Sequence, residues 1–240
     1  MVVSVGTSGY AYKEWKGTFY PADLPADGML RWYAGRLRAV EINNTFYRMP
    51  SEKVLLGWAA EVPDGFTFVL KASQRITHRK RLKDAGEELA YFLRTANVLG
   101  PKLGPTLFQL PPNLKKDLPR LRDFLALVPR GWRAALEFRH ASWLDDEVFD
   151  ALKAHNAALC IADADPEEGE TDPLVIPTVA TADWGYLRLR RAAYQPADLA
   201  RWAATITSQA WGDAYVFFKH EDAGAGPKLA AEFTALLPSG

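Results

Sequence analysis

The chain has 240 residues, 29 basic and 29 acidic side chains, 48% hydrophobic content and a single cysteine. That length is ample for a core and suits one large domain, and zero formal net charge removes the long-range field of general polyanion binders and membrane-surface proteins. A lone cysteine excludes an intrachain disulfide and a thiolate zinc cluster. No apolar run approaches the ~18 residues needed to span a bilayer, and the first residues do not read as a leader, so a cytoplasmic protein without membrane contact is expected.

Eight short runs rich in β-branched and aromatic residues read as strands: residues 2–6, 39–43, 66–72, 106–110, 134–138, 158–163, 185–190 and 214–219. Between them, amphipathic patterns predict helices over 28–38, 52–61, 85–99, 118–128, 146–156, 197–209 and 228–237. Ser51 and Asp117 are suited to cap helices, Gly100-Pro101 to end one, and Pro196 and Pro227 to first-turn positions. The sixth connection, 164–184, carries prolines at 166, 173 and 177 and is predicted to be an irregular crossover. Eight βα units in 240 residues leave 30 residues per unit and no linker, which predicts a single (β/α)₈ TIM-type barrel of class α/β spanning residues 1–240. The competing doubly wound open sheet would place G-x-G-x-x-G after the first strand, and Gly6-Thr7-Ser8-Gly9 lacks that spacing.

Side chains alternate across a strand, so polar residues of one parity near the C-terminal ends mark a mouth where this fold binds ligands. Glu41 and Asn43 on strand two, Lys71 on three, Gln109 on four, Glu137 and Arg139 on five, Asp163 on six, Arg188 and Arg190 on seven and Lys219 on eight fit that pattern. Together they predict a mixed-charge, partly desolvated site, although a purely structural ion network would give the same pattern. Tyr10, Trp15, Tyr47 and Trp143 are candidate ring contacts for a ligand. His140 and His220 are candidates for moving protons, and the glycines at 224 and 226 with Arg190 and Arg191 suggest a phosphate site. A basic run over 75–83 could follow a phosphate backbone or be a solvated face. Cys160, of opposite parity to Asp163, is expected to face the helices. No cofactor is expected, and the interleaving of acids with lysine and arginine disfavours a divalent metal.

The segments Gly6-Thr-Ser-Gly-Tyr10, Val40-Glu-Ile-Asn-Asn-Thr-Phe-Tyr47, Gln109-Leu-Pro-Pro112, Glu137-Phe-Arg-His140 with Ser142-Trp143, and Tyr186-Leu-Arg188 occur in order along the chain. Here the sequence resembles the YecE-like family, domain of unknown function 72. The resemblance implies a TIM-type barrel grouped loosely with sugar-isomerase-like and endonuclease-like barrels, and it implies no particular reaction. Where many relatives continue strand seven into His-Gly and end strand eight with Phe-Asn-Asn, this chain has Arg190-Arg191 and Phe218-Lys219-His220, which points to a more anionic ligand.

Three functions fit these residues. The first is an enzyme acting on a small phosphorylated or carboxylated, sugar-like anion. Glu41, Glu137 and His140 would do acid/base work beside Lys71, the arginines and Lys219 would hold the anion, and Asn43 and Gln109 would orient hydroxyls. The others are a nucleic-acid-processing or nucleic-acid-binding protein using the basic run, and a barrel that binds a ligand or protein without chemistry.

Overall fold

The computed structural model describes residues 1–165, 174–219 and 224–238. Eight parallel strands close into a barrel in sequence order: β1 (Val2–Ser8), β2 (Ala39–Ile42), β3 (Thr67–Lys71), β4 (Leu103–Gln109), β5 (Ala134–Glu137), β6 (Ala158–Asp163), β7 (Trp184–Leu189) and β8 (Asp213–Phe218). Among the described residues seven α-helices surround it: α1 (Met29–Ala34), α2 (Glu52–Glu61), α3 (Gly86–Ala96), α4 (Leu118–Leu127), α5 (Asp146–Ala154), α6 (Pro196–Thr207) and α7 (Ala225–Ala235). This is the expected (β/α)₈ barrel. Ser51 and Asp117 cap α2 and α4 through backbone N–H groups, and Pro196 opens α6 at its first turn. The described parts of the sixth connection, 164–165 and 174–183, carry no helix. Among the described residues no helix is long and apolar enough to cross a membrane.

The two hydrophobic layers follow from strand parity. Outward residues such as Val40, Phe68, Phe108 and Leu136 pack under the helices, whereas Ala39, Val69, Leu107, Ala135, Cys160, Tyr186 and Phe217 fill the barrel interior. Small residues on β2, β5 and β6 leave room for Trp184, Tyr186, Tyr215 and Phe217 on β7 and β8. At the N-terminal end Arg133 donates to Tyr215 Oη at 2.7 Å and Asp213 Oδ2 at 2.6 Å, closing the floor.

Register decides which polar groups meet there. Ser8 lies beside Glu41, and Gln109 beside Glu137. One outer-layer side chain holds the first of these pairings. Tyr33 of α1 accepts from Thr7 N at 2.9 Å and donates to the Ala39 carbonyl at 2.8 Å, so its hydroxyl bridges β1 and β2 where a direct ladder bond would otherwise run. Gly6 lies beside this bridge, where a Cβ would overlap the Ala39 carbonyl. Tyr33→Phe orphans two buried backbone groups and is expected to lower unfolding free energy by about 1–3 kcal/mol in urea titration, with the fold retained.

Candidate functional site

The centre of the mouth is Arg188, carried by β7 on the same face as Tyr186 and 2% exposed. Its guanidinium spans the barrel. Nη2 donates to Glu41 Oε1 at 2.8 Å and Nη1 to Glu137 Oε2 at 2.6 Å, joining β2, β5 and β7. Glu41 accepts further bonds from Ser8 Oγ at 2.7 Å and Tyr186 Oη at 2.6 Å. Glu137 Oε1 accepts from Gln109 Nε2 at 2.8 Å and Arg139 Nε at 3.1 Å, with Arg190 Nη1 at 3.7 Å. Gln109 in turn accepts from Lys71 Nζ at 2.8 Å, so its amide is oriented by an ammonium on one side and a carboxylate on the other.

This geometry fixes the charge states. Burial favours the neutral form of Glu137, but Arg188, Arg139 and Arg190 outweigh it and hold the carboxyl at about 2. Glu41 is likewise pushed up by burial yet held below the usual carboxylate range by Arg188 and the hydroxyls of Tyr186 and Ser8. Both are ionised at neutral pH and saturated with donors, so neither has a proton to give or the basicity a general base needs. The acid/base roles expected for Glu41 and Glu137 are thus replaced by an anchoring one: they fix Arg188, and Glu137 also fixes Arg139 and Gln109. Among the described residues three guanidiniums, Arg139, Arg188 and Arg190, lie against these carboxylates, and a fourth cation, Lys71, reaches Glu137 through the Gln109 amide. Arg188 Nε and Arg190 Nε are buried N–H groups with no hydrogen-bond partner among the described residues.

Lys71 occupies one corner of the mouth, over the ring of Phe46 at 4.2 Å from its centroid. Thr45 sets that ring in place by donating to the carbonyls of Ile42 and Lys71, which ties the loop after β2 to the end of β3. Burial first, then the nearby Arg188, lower Lys71 to about 8. His78 meets Phe46 edge-on at 4.8 Å between centroids, and burial followed by Lys71, Arg139 and Arg81 hold its pKa low, leaving a neutral imidazole. The loop bearing it is strongly constrained: a π-helical turn over Arg75–Arg79 is followed by left-handed Arg81, Leu82 and Asp84, and buried Leu82 donates to the Ile76 carbonyl at 2.9 Å.

Several expected positions lie elsewhere. Trp15 is 1% exposed within a first-loop aromatic cluster with Tyr12, Phe19 and Tyr20, and Trp143 is fully buried, stacked on Phe138 at 4.9 Å with Nε1 donating to the Leu114 carbonyl. Neither can touch a ligand; burying their large apolar area against the loops decides their place. Tyr10 packs on Tyr33 of α1, and its hydroxyl is raised to about 12 by burial and then Glu61, so it belongs to the helix side. Asp163 accepts from Trp202 Nε1 of α6 at 2.9 Å and faces outward, while Cys160 points into the barrel with Tyr186. The parity of β6 is the reverse of the expected one. Cys160 is a buried thiol whose pKa is pushed well up by desolvation, then by Glu137.

His140 is occupied in a turn: its Nδ1 accepts from Ser142 N at 3.1 Å and caps the short helix over Ala141–Trp143. Arg190 faces the mouth, whereas Arg191 lies within 3.9 Å of Asp163 Oδ2 on the outside. Lys219, exposed, follows β8 directly; His220 lies outside the described residues. Gly224, at the start of α7, is left-handed and lies so near Thr18 that a Cβ would overlap it, and residues 220–223 are also outside the described ones. Asn43 keeps a buried Oδ1 with no partner among the described residues, and Tyr47 is exposed beside Phe46. Ser8 and Tyr186 are mouth residues to which the sequence assigned no role, and Phe46 and His78, read there only as a loop aromatic and a member of the basic run, join them. Tyr186 shares the parity of Arg188, which was a usable signal; His78 gave none apart from its basic neighbours.

An inward ring of strand-end charges in a closed parallel barrel defines a TIM-type barrel with a polar mouth. The chain belongs to the family described as protein of unknown function DUF72, whose model matches residues 4–239. It is similar to the UPF0759 protein YecE of Escherichia coli K12, 32% identical over 112 residues, a match that spans 46% of this chain and only 41% of that protein. It is also similar to the UPF0759 protein YunF of Bacillus subtilis 168, 26% identical over 197 residues covering 75% of this chain and 66% of the relative. The crystal structure of a DUF72 family protein (TM1631) from Thermotoga maritima superposes with a TM-score of 0.84 at 26% identity, covering 98% of this chain and 99% of that one.

Because folding lowers Glu137 from 4.5 to about 2, its ionised form stabilises the native state above about pH 4.5, and that contribution is lost as pH falls toward 2. Glu137→Gln leaves Arg188 short of a counter-charge and is expected to cost about 3–5 kcal/mol at pH 7 in urea unfolding, with a smaller penalty at pH 3.

Proposed function

We propose that the mouth of the barrel binds a small, multiply charged, sugar-like anion, phosphorylated or carboxylated, and that the protein acts on it as an enzyme. The observation that carries this reading is that, among the described residues, four cations gather around two carboxylates and the Nε–H groups of Arg188 and Arg190 are buried without a hydrogen-bond partner. Buried donors and uncompensated positive charge are offset most simply by an anionic ligand with several acceptor oxygens. Arg139 and Arg190 reach toward the entrance and supply its charge contacts, Arg188 sits beneath them, and the Phe46 and Tyr47 rings offer apolar faces to a sugar carbon skeleton. Asn43 faces hydroxyl donors with its free Oδ1. Acid/base work falls to Lys71, lowered to about 8, and to the neighbouring His78, whose imidazole burial and nearby cations keep neutral.

A second reading rests on the rim. Arg75, Arg79, Arg81 and Lys83 are exposed around the loop that carries His78, with Tyr47 exposed nearby. Such a rim suits a single-stranded nucleic acid, and the small-anion reading is favoured because the donors without a partner among the described residues are buried within the mouth and not on the rim.

Thermal unfolding separates the two. Inorganic phosphate or a sugar phosphate at about ten times its Kd is expected to raise Tm by roughly 3–6 °C at constant ionic strength, and Arg139→Ala with Arg190→Ala should remove most of that rise. A shift equal to that given by chloride, or one untouched by the double variant, would refute the small-anion reading. Salt-dependent binding of a labelled oligonucleotide that survives the double variant would favour the rim.

A further inference from the structure

Each arginine of the mouth has Glu137 within ion-pair distance, at 2.6 Å for Arg188, 3.1 Å for Arg139 and 3.7 Å for Arg190. Lys71 differs. Among the described residues its ammonium has no carboxylate partner; it donates to the neutral Gln109 amide at 2.8 Å and lies over Phe46 at 4.2 Å. A site that needed a fourth fixed charge would be served by another guanidinium, which cannot lose its proton, whereas a lysine held between an aromatic face and an amide, beside permanent cations, is in surroundings that favour the free amine. The side chain projects from the end of β3 into one corner of the mouth, where the Phe46 ring that it covers also meets His78.

We infer that Lys71 Nζ is an amine nucleophile that condenses with the carbonyl carbon of a small anionic aldehyde or ketone held by Arg139 and Arg190. This rests on the anion-binding reading above and specifies its substrate class as an anionic carbonyl compound. The Nζ–C bond forms as the C=O π pair moves onto oxygen. That oxygen then leaves as water with two protons, giving C=N, and uptake of one proton makes the iminium. No oxidant or reductant is consumed. The neutral His78 imidazole is the neighbouring group suited to pass these protons. Lys71 near 8 keeps roughly a tenth of its side chains as free amine at pH 7, against well under a thousandth for an ordinary lysine at 10.5.

The test is reductive trapping. The full chain is incubated with pyruvate or with dihydroxyacetone phosphate, borohydride is added, and peptides are mapped by mass. The expected result is a single adduct at Lys71, heavier by the mass of the carbonyl compound less one oxygen atom. Its yield should exceed that at any other lysine by at least tenfold, rise between pH 7 and 9, and fall when inorganic phosphate competes. Lys71→Met should abolish it. Labelling spread evenly over the lysines of the unaltered protein, no adduct with either probe, or an adduct that persists in Lys71→Met would overturn the inference, and the map of the unaltered protein decides even if the variant fails to fold. If phosphate still raises Tm through Arg139 and Arg190 while Lys71 stays unmodified, the nucleophile is wrong and the anion site stands. If phosphate has no effect on Tm, the binding reading itself fails.

Discussion

The buried contact of Arg188 with Glu41 and Glu137 is the interaction on which the mouth depends. Its three members come from β2, β5 and β7, and the guanidinium reaches both carboxylates because the barrel is closed. Taking three charges out of water costs several kcal/mol per ion, so the cluster is not a large source of net stability. What it supplies is position. Two carboxylates facing each other in a dry interior would repel, and the planar fork of arginine holds them in fixed register while Ser8, Tyr186 and Gln109 satisfy their remaining lone pairs. Small residues at Ala39, Ala135, Ala158 and Cys160 leave the space that the long side chains of β7 need.

From that anchor the rest of the site follows outward. Glu137 orients Arg139 and Gln109, and Gln109 orients the Lys71 ammonium, so a hydrogen-bonded path runs from the barrel centre to the corner occupied by Phe46 and His78. Along this path the negative charges are consumed at the bottom and the positive ones are left at the top. The same burial that leaves both glutamates ionised and fully bonded leaves Lys71 under-compensated and titratable. The group shifted toward the neutral range is therefore the Lys71 amine and not either carboxylate, where the residue types alone would place it.

The sequence made the strand-end residues legible wherever parity within a strand was unambiguous. Glu41, Lys71, Gln109, Glu137 and Arg188 all converge as alternation dictates. On β6 the alternation reads equally well in either phase, because Ala158, Cys160 and Ala162 are small and Leu159 and Ile161 are apolar, and the inward set proved to be the small one. Asp163 consequently pairs with Trp202 on the helix side. Aromatic residues in the loops carried no phase at all. Trp15 and Trp143 lie deep in the packing, while the ring that meets Lys71 is Phe46.

Length, the alternation of strand and helix signals and the polar strand ends were enough to determine the barrel and the identity of most residues at its mouth. These are local properties, set by periodicity along the chain. The tertiary structure alone decided what each residue does. Whether a carboxylate is an acid or an anchor, and whether a lysine is a fixed charge or a free amine, depends on how many opposite charges and how much water surround it, and those neighbours come from strands up to 147 residues apart.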